Sequence, residues 1–452
     1  MLLPVAALGQ TSGPAGACAS TVCLTVNSAD TRGPATLIAQ GFLHGDDTTS
    51  SERVANLHPT SWVVGIDPTG FASARANGAT TTLVLSDLWY QDGPLNPVIP
   101  PWRDFSAYAS WVQQTVAGLV KSGQAPDYWE VQNEPDGAYG DFPPASIAQS
   151  LEQFKIAVQN IRAADPSAKI VGPGVISPFA ANGRGLDLQT FLRYVQANNL
   201  PLDAISWHEV GDVSWHIGGD PQPNGMVSHV AAIRAFLAPY PRLEALPIFI
   251  NEYSAAPNHL IPGWGVGWIA AAEASGVAEA TRSCWHEDDS QGKMVADCYD
   301  GSLDGLFQPG SGDPQDLYWV DRFYAEMTGL RLASSSTDGT VSVFSTLDSS
   351  SNTLRVLVGR HVSCTAAVRT ECDEPVSDTP GPVPTTLQIA LPASYSSAVV
   401  TVTRIGNVVG PMYPTIITAA TLMSGSTLNI PIGTTTGGLA DGDAYSVTLR
   451  LL

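Results

Sequence analysis

Between residues 36 and 330 the chain repeats one theme, a short and nearly unbroken apolar run followed by a stretch with helical spacing. The runs are "LIAQGFLHG" (37–45), "SWVVGI" (61–66), "TTTLVLSD" (80–87), "YWEVQNE" (128–134), "AKIVGPG" (168–174), "DAISWHEV" (203–210), "LPIFINEYS" (246–254) and "ATRSCWHE" (280–287). They do not alternate polar with apolar. That is the signature of parallel strands covered on both faces, because neither face can afford a polar row. Helical patterns separate many of them. Over 104–122, Phe105, Tyr108, Val112, Val116 and Leu119 recur at helical spacing and Gly123 stops the run. Further patterns cover 144–163, 187–198, 225–238, 264–276 and 316–329. Eight such strands and their helices predict an α/β fold, a (β/α)8 barrel over residues 36–330. A doubly wound sheet is the competitor, but no glycine-rich dinucleotide turn follows the first run.

Past residue 330 the texture changes to strands that do alternate, among them "TVSVFSTL" (340–347), "TLRVLVGRH" (353–361) and "SAVVTVTRI" (397–405). Clusters of Ser, Thr, Gly and Pro separate them. The pattern predicts an appended antiparallel β-sandwich over 331–452. Residues 1–35 form an N-terminal segment whose "CLTVNSA" is expected to add a strand to that sandwich.

Composition narrows the function. The 452 residues carry 42 acidic against 21 basic side chains, a net charge of −21. A basic stripe for phosphate backbones is therefore absent, which argues against a nucleic-acid partner. No run approaches the ~20 apolar residues that span a bilayer. Six cysteines fall into three close pairs, Cys18/Cys23, Cys284/Cys298 and Cys364/Cys372, with no Cys-x-x-Cys spacing. Three local disulfides in a secreted protein fit this better than zinc or redox chemistry. The opening "MLLPVAALG" is apolar but short for a signal peptide and has no basic residue ahead of it.

In a barrel of this kind functional side chains project from the C-terminal ends of the strands. Glu134 in "QNEPD" ends the fourth run, Glu209 in "WHEVG" the sixth and Glu252 in "INEYS" the seventh. The fourth and seventh ends face each other across an eight-stranded mouth. Two carboxylates so placed suit cleavage of a glycosidic bond, one giving a proton to the leaving oxygen and the other attacking the anomeric carbon. Asn133 is positioned to hydrogen-bond a sugar hydroxyl. Such chemistry needs no metal and no organic cofactor, and the expected partner is an oligo- or polysaccharide.

"NEP" at the fourth strand end, with "NE" and an aromatic at the seventh, resembles clan A of the glycoside hydrolases. The trailing sandwich and "SWHEV" in the sixth strand are most similar to family 39, which includes β-xylosidases and α-L-iduronidases. That resemblance implies Glu134 as acid/base and Glu252 as nucleophile in a retaining double displacement; the long loops after the sixth, seventh and eighth strands favour a pocket, hence an exo-acting, β-xylosidase- or arabinosidase-like cut. It also implies substrate contacts from His208, Trp285 and, more loosely, His44 in "GFLHG". Glu209 departs from the family, which has an uncharged residue after the histidine. It is either a solvated loop residue or a substrate contact. Trp89 after the third strand is a candidate for the cleft wall, as is Tyr90. Trp215, His216 and Trp264 sit in loops that would select the sugar or pack internally. The run "HEDD" (286–289) is either a solvated loop or a calcium site. Two other functions stay open, an endo-acting glycanase with an open groove and a carbohydrate-binding protein without catalysis. The sugar and the oligomeric state are not legible.

Overall fold

The computed structural model describes residues 18, 20–44, 51–65, 68–92, 99–136, 146–179, 186–210, 223, 225–254, 258–288, 292–299, 301–362, 380–391, 395, 397–408, 410, 412–423 and 427–452. The chain enters as β1 (Val22–Pro34) and then builds a closed, all-parallel barrel. Its strands are β2 (Gly41–Leu43), β3 (Ser61–Val64), β4 (Thr80–Val84), β5 (Tyr128–Glu130), β6 (Lys169–Val175), β7 (Ala204–Glu209), β8 (Ile248–Tyr253) and β9 (Glu279–Arg282). Each coincides with one of the eight apolar runs. β9 pairs back to β2 through Gly41 and Thr281, which closes the ring. Gly41 is obligatory there, since a Cβ would collide with the Ala280 carbonyl and the Ser61 hydroxyl.

Helices α1 (Ser51–Ala55), α2 (Pro68–Asn77), α3 (Leu85–Asp92), α4 (Phe105–Ser122), α5 (Ile147–Ala164), α6 (Leu188–Ala197), α7 (Gly225–Leu237), α8 (Pro241–Glu244), α9 (Pro262–Ser275) and α10 (Asp316–Tyr324) lie along the barrel strands. Local sequence sets their ends. Asp104 caps α4 by accepting from Ser106 and Ala107, and Gly123 closes it in the left-handed region. Ser146 and Gln149 form a reciprocal capping box on α5. One boundary differs from the sequence reading. The third run ends as a strand at Val84, and "LSDLWYQD" turns at once into α3.

After a small hairpin, β10 (Glu287–Asp288) and β11 (Met294–Ala296), the chain forms β12 (Leu330–Ser336), β13 (Val341–Asp348), β14 (Thr353–Arg360), β15 (Thr385–Ala390), β16 (Ser397–Ile405), β17 (Thr415–Met423), β18 (Thr427–Ile432) and β19 (Ala444–Leu451). With β1 these make one nine-stranded sheet in the order β17-β16-β19-β14-β13-β12-β1-β15-β18. All pairs are antiparallel except β1 with β15. Side chains from β1, β14, β15, β16, β18 and β19 meet in a single aliphatic cluster, so the sheet curls over its own core. The structure is thus a (β/α)8 barrel with an appended, antiparallel-rich sandwich.

The two parts are welded through α9 and α10. Gly263 donates its N–H to the Gly442 carbonyl at 2.8 Å, and a Cβ on it would strike the Arg360 carbonyl. Asp316 at the start of α10 accepts from Val408 N at 3.1 Å. Trp264 is buried against the His361 ring in this seam, so it lies in α9 rather than in a sugar-selecting loop.

Candidate functional site

The segment carrying Glu134 does not simply continue its strand. After Glu130 the chain leaves β5, and the Gln132 amide pins it to α5 by donating to Ser150 O and Gln153 Oε1. Asn133 N donates to Ser86 Oγ at 3.1 Å. Glu134 then adopts φ +46°, uncommon for a residue with a Cβ, and its N–H donates to Gly174 O at 2.8 Å. Backbone held in that region against its intrinsic preference is a mark of functional sites. The Asp136 carboxylate fastens the far side of this turn by accepting from Ile176 N at 2.9 Å. Burial pushes its pKa up to about 7, the backbone N–H groups oppose that, and the nearby Glu134 charge adds to it.

Glu252 lies inside β8, and its placement comes from an irregular register. A shift between Trp207 and His208 sets His208 opposite Glu252. Such bulges re-aim side chains. The buried His208 ring reaches both carboxylates, with Nδ1 3.0 Å from Glu134 Oε1 and 3.8 Å from Glu252 Oε1. Burial disfavours a charged ring, but Glu252, Glu134 and Glu130 around it outweigh that, and its pKa is raised to about 10. The surrounding carboxylates thus favour the protonated ring, and in that form it donates to Glu134. Both carboxylates keep a window to solvent, with 17% of each side chain exposed.

One donor atom each from Glu134, His208 and Glu252 lies within 4.8 Å of the others, and among the described residues no other cluster of this kind occurs. Such a trio could in principle accept a divalent cation. The carboxylates around His208 favour its protonated form, and a cation there would have to displace that proton.

The remaining candidates divide. Asn133 is part-exposed beside Glu134. Trp285 follows β9 at the rim, where Nε1 donates to Ser283 Oγ at 2.9 Å and to Ser254 O at 3.2 Å. Its neighbour Cys284 is disulfide-bonded to Cys298, and Cys18 is bonded to Cys23. His44 directly follows the first barrel strand with φ +62° and faces the exposed Tyr299 ring at 4.8 Å.

Two candidates are corrected. Trp89 does not line a cleft, because it belongs to α3 and packs edge-on against Tyr108 and Trp111 while donating to Ile99 O. Glu209 is neither solvated nor open to substrate. It is buried, and accepts from Trp207 Nε1 at 2.7 Å and from His229 Nδ1 at 3.0 Å. The side chain of Tyr90, and Trp215, His216, Asp289, Cys364 and Cys372, lie outside the described residues. In "HEDD", Glu287 is buried, so that run is not simply a solvated loop.

Sequence reasoning passed over Glu130, Ser206 and Asn251, which sit directly beneath the carboxylates. The signal was available, since an ionisable residue inside "YWEV" is expensive in a strand buried on both faces.

Known proteins resemble the chain in sequence profile and in fold. The sequence profile of Glycosyl hydrolases family 39 matches residues 125–281. No curated protein matches the sequence. Among solved structures, N2152 from Neocallimastix frontalis superposes with a TM-score of 0.72 at 20% identity, covering 95% of this chain and 99% of that one. A monomeric β-xylosidase from Caulobacter crescentus CB15 gives 0.66 at 14% identity, with 95% and 99% covered. The GH39 enzyme from Xanthomonas axonopodis pv. citri also gives 0.66 at 14%, with 96% and 98% covered. The profile match runs from just before β5 into β9 and so contains Glu134, His208 and Glu252 together. The profile match over these strands and the shared fold are consistent with a clan A glycoside hydrolase most like family 39.

Proposed function

We propose that the protein is a retaining, exo-acting glycosidase in which Glu252 is the nucleophile and Glu134 the acid/base. The observation that carries this reading is that Glu134 and Glu252 present carboxylate oxygens to one His208 ring nitrogen, at 3.0 and 3.8 Å, which brings the two carboxylates close together over the barrel mouth. Retaining enzymes hold their carboxyl groups about 5–5.5 Å apart, whereas inverting ones leave about 6.5–9.5 Å for a water.

In the first step Glu252 attacks the anomeric carbon, a C–O bond to its carboxylate forms, and the glycosidic C–O bond breaks. Glu134 gives its proton to the departing oxygen. His208 donates to Oε1 of Glu134, which leaves the second oxygen as the place for that proton. In the second step Glu134 takes a proton from water, which attacks the same carbon and frees Glu252. Asn133 beside the acid and Trp285 at the rim are assigned to sugar contacts, the indole face packing on sugar C–H groups. His44 is assigned to the same wall. No step calls for a metal or an organic cofactor.

The β-xylosidase neighbour makes pentosides the first substrates to try, namely xylosides and arabinosides from plant or microbial polysaccharides. Two disulfides among the described residues suit an oxidising, extracellular setting. No described helix is long and apolar enough to cross a membrane.

The test is a panel of aryl glycosides and polysaccharides, with the first-formed sugar anomer followed by NMR. Hydrolysis of an aryl pentoside with retained configuration is expected. An inverted first product overturns the double displacement, and cleavage confined to polymers moves the reading to an endo-acting glycanase.

A further inference from the structure

Below the carboxylate pair lies a third carboxylate that the mechanism does not use. Glu130, the last residue of β5, is 2% exposed. Ser206 Oγ donates to its Oε1 at 2.5 Å and itself accepts from Gly174 N at 3.0 Å. Asn251 Nδ2 donates to Oε2 at 2.5 Å. Four adjacent barrel strands therefore converge on one side chain.

The partners are telling. Ser206 stands two residues before His208 on β7, and Asn251 immediately before Glu252 on β8. On β6 the space is reserved for this carboxylate. Gly174 has φ +63°, and a Cβ there would lie 2.8 Å from Glu130 Oε1 and 2.8 Å from Gln132 O. Gly174 O also receives the Glu134 N–H. The group on which the strands converge is thus linked through Ser206, Asn251 and Gly174 to the segments that carry all three members of the site.

We infer that Glu130 is a positioning residue for this site, holding the strand ends of His208 and Glu252 in register with Glu134 and setting a negative charge beneath the His208 ring. The inference rests on the carboxylate-pair reading above. A hydroxyl and an amide donating to separate oxygens suit the ionised carboxylate. Burial is the larger effect and raises its pKa above the usual carboxylate range, while the Ser206 hydroxyl, the His208 charge and the Asn251 amide act against it and favour the ionised form. The charged groups facing His208 are Glu130 and Glu134 from the β5 segment and Glu252 from β8. Asp136 faces Glu134 from the far side of its turn, β6 presents only backbone and Gly174, and Glu209 on β7 is engaged by His229.

A merely structural plug and a charged positioner differ in one respect. Glu130→Gln keeps the shape and removes the charge. With one anion gone, His208 holds its proton less firmly and the whole cluster releases protons at lower pH. Two readouts follow this, the imidazole titration of His208 by NMR on the free protein and the pH profile of kcat/KM on an aryl glycoside. The expected result is a His208 titration lowered by about half to one pH unit, and both limbs of the profile displaced in the same sense. kcat should fall by about 10²-fold, with KM nearly unchanged, as for a loss of transition-state alignment.

A titration and a profile that do not move overturn the inference, even if activity falls. Should Glu130→Gln fail to fold, Ser206→Ala decides. It weakens the carboxylate form, so the same shift in smaller measure is expected, and an unmoved His208 titration overturns the inference. Because the NMR readout needs no substrate, a wild type silent on every glycoside would count against the proposed function and not against Glu130.

Discussion

The barrel and the sandwich bury opposite kinds of chemistry. In the sandwich, an edge strand such as β18 alternates in burial while a central one such as β14 is buried almost throughout, and the shared core is aliphatic apart from Tyr445. Its described acids lie at turns and strand ends, and Asp443 and Arg360 are buried beside the seam with the barrel. Asp348 accepts from Ser350 and Ser351 and Asp338 from Thr340, which holds both carboxyls below the usual range. In the barrel, β7 is buried at every position and still contains Ser206, His208 and Glu209. Beneath the mouth, Glu130, Asn251 and the Arg282–Asp321 pair are all buried. Desolvating such groups costs several kcal/mol unless each is paired. The sandwich core is thus apolar packing, whereas the barrel gives up some stability to hold charges beneath its mouth.

The sharpest way to break this comparison is to remove one group from each side. Glu252→Ala should lower kcat by roughly 10⁴-fold or more. Its melting temperature should stay at or above that of the wild type, because a like charge leaves a crowded cluster. Leu354→Ala in β14 should do the reverse. Leu354 is fully buried, and its truncation should cost about 2–5 kcal/mol with kcat per folded molecule unchanged. Calorimetry and kinetics on the two variants check both. A Leu354→Ala protein that stays folded but loses kcat would show the two parts to be coupled through the α9–β14 seam.

A smaller effect sharpens the same contrast through pH. Asp136 and Asp316 are raised by burial to about 7, so the folded state holds protons that the unfolded chain has released, and stability falls as pH rises from about 4 to about 7. His208, raised to about 10, stabilises fully below the unfolded value of about 6.5, and that contribution is lost as pH climbs to 10. The lowered Asp127 and Asp338 act at the other end, their contribution being lost as pH falls below about 4. The melting temperature should peak between about pH 4 and 6 and drop by on the order of 5 °C by pH 8. A scan in which it rises toward pH 8 would contradict the burial of these groups.

Much of this was legible in the sequence because the signals are local or periodic. Eight apolar runs marked eight barrel strands, since a strand covered on both faces cannot alternate. Glu134 and Glu252 stand out in the sequence because strand ends are where a barrel exposes side chains, and the family 39 resemblance suggests their roles. What was missed depends on three-dimensional closure. Trp89 reads as a loop residue after a strand, but Leu85–Asp92 turns into a helix that buries it against α4. Glu209 reads as exposed because its partner His229 is 20 residues away on α7. Glu130 becomes intelligible only when β7 and β8 are set beside β5. The bulge that brings His208 opposite Glu252 leaves no trace in composition at all.

The central claim is that Glu252 becomes covalently bonded to the sugar while Glu134 manages the proton. It is tested most directly by trapping. The enzyme is incubated with a 2-deoxy-2-fluoro glycoside of the sugar it hydrolyses, carrying an activated leaving group, and the labelled peptide is sequenced by mass spectrometry. The account predicts one fluorosugar per chain, attached to Glu252. A label on any other residue, or an active enzyme that never acquires one, would contradict it.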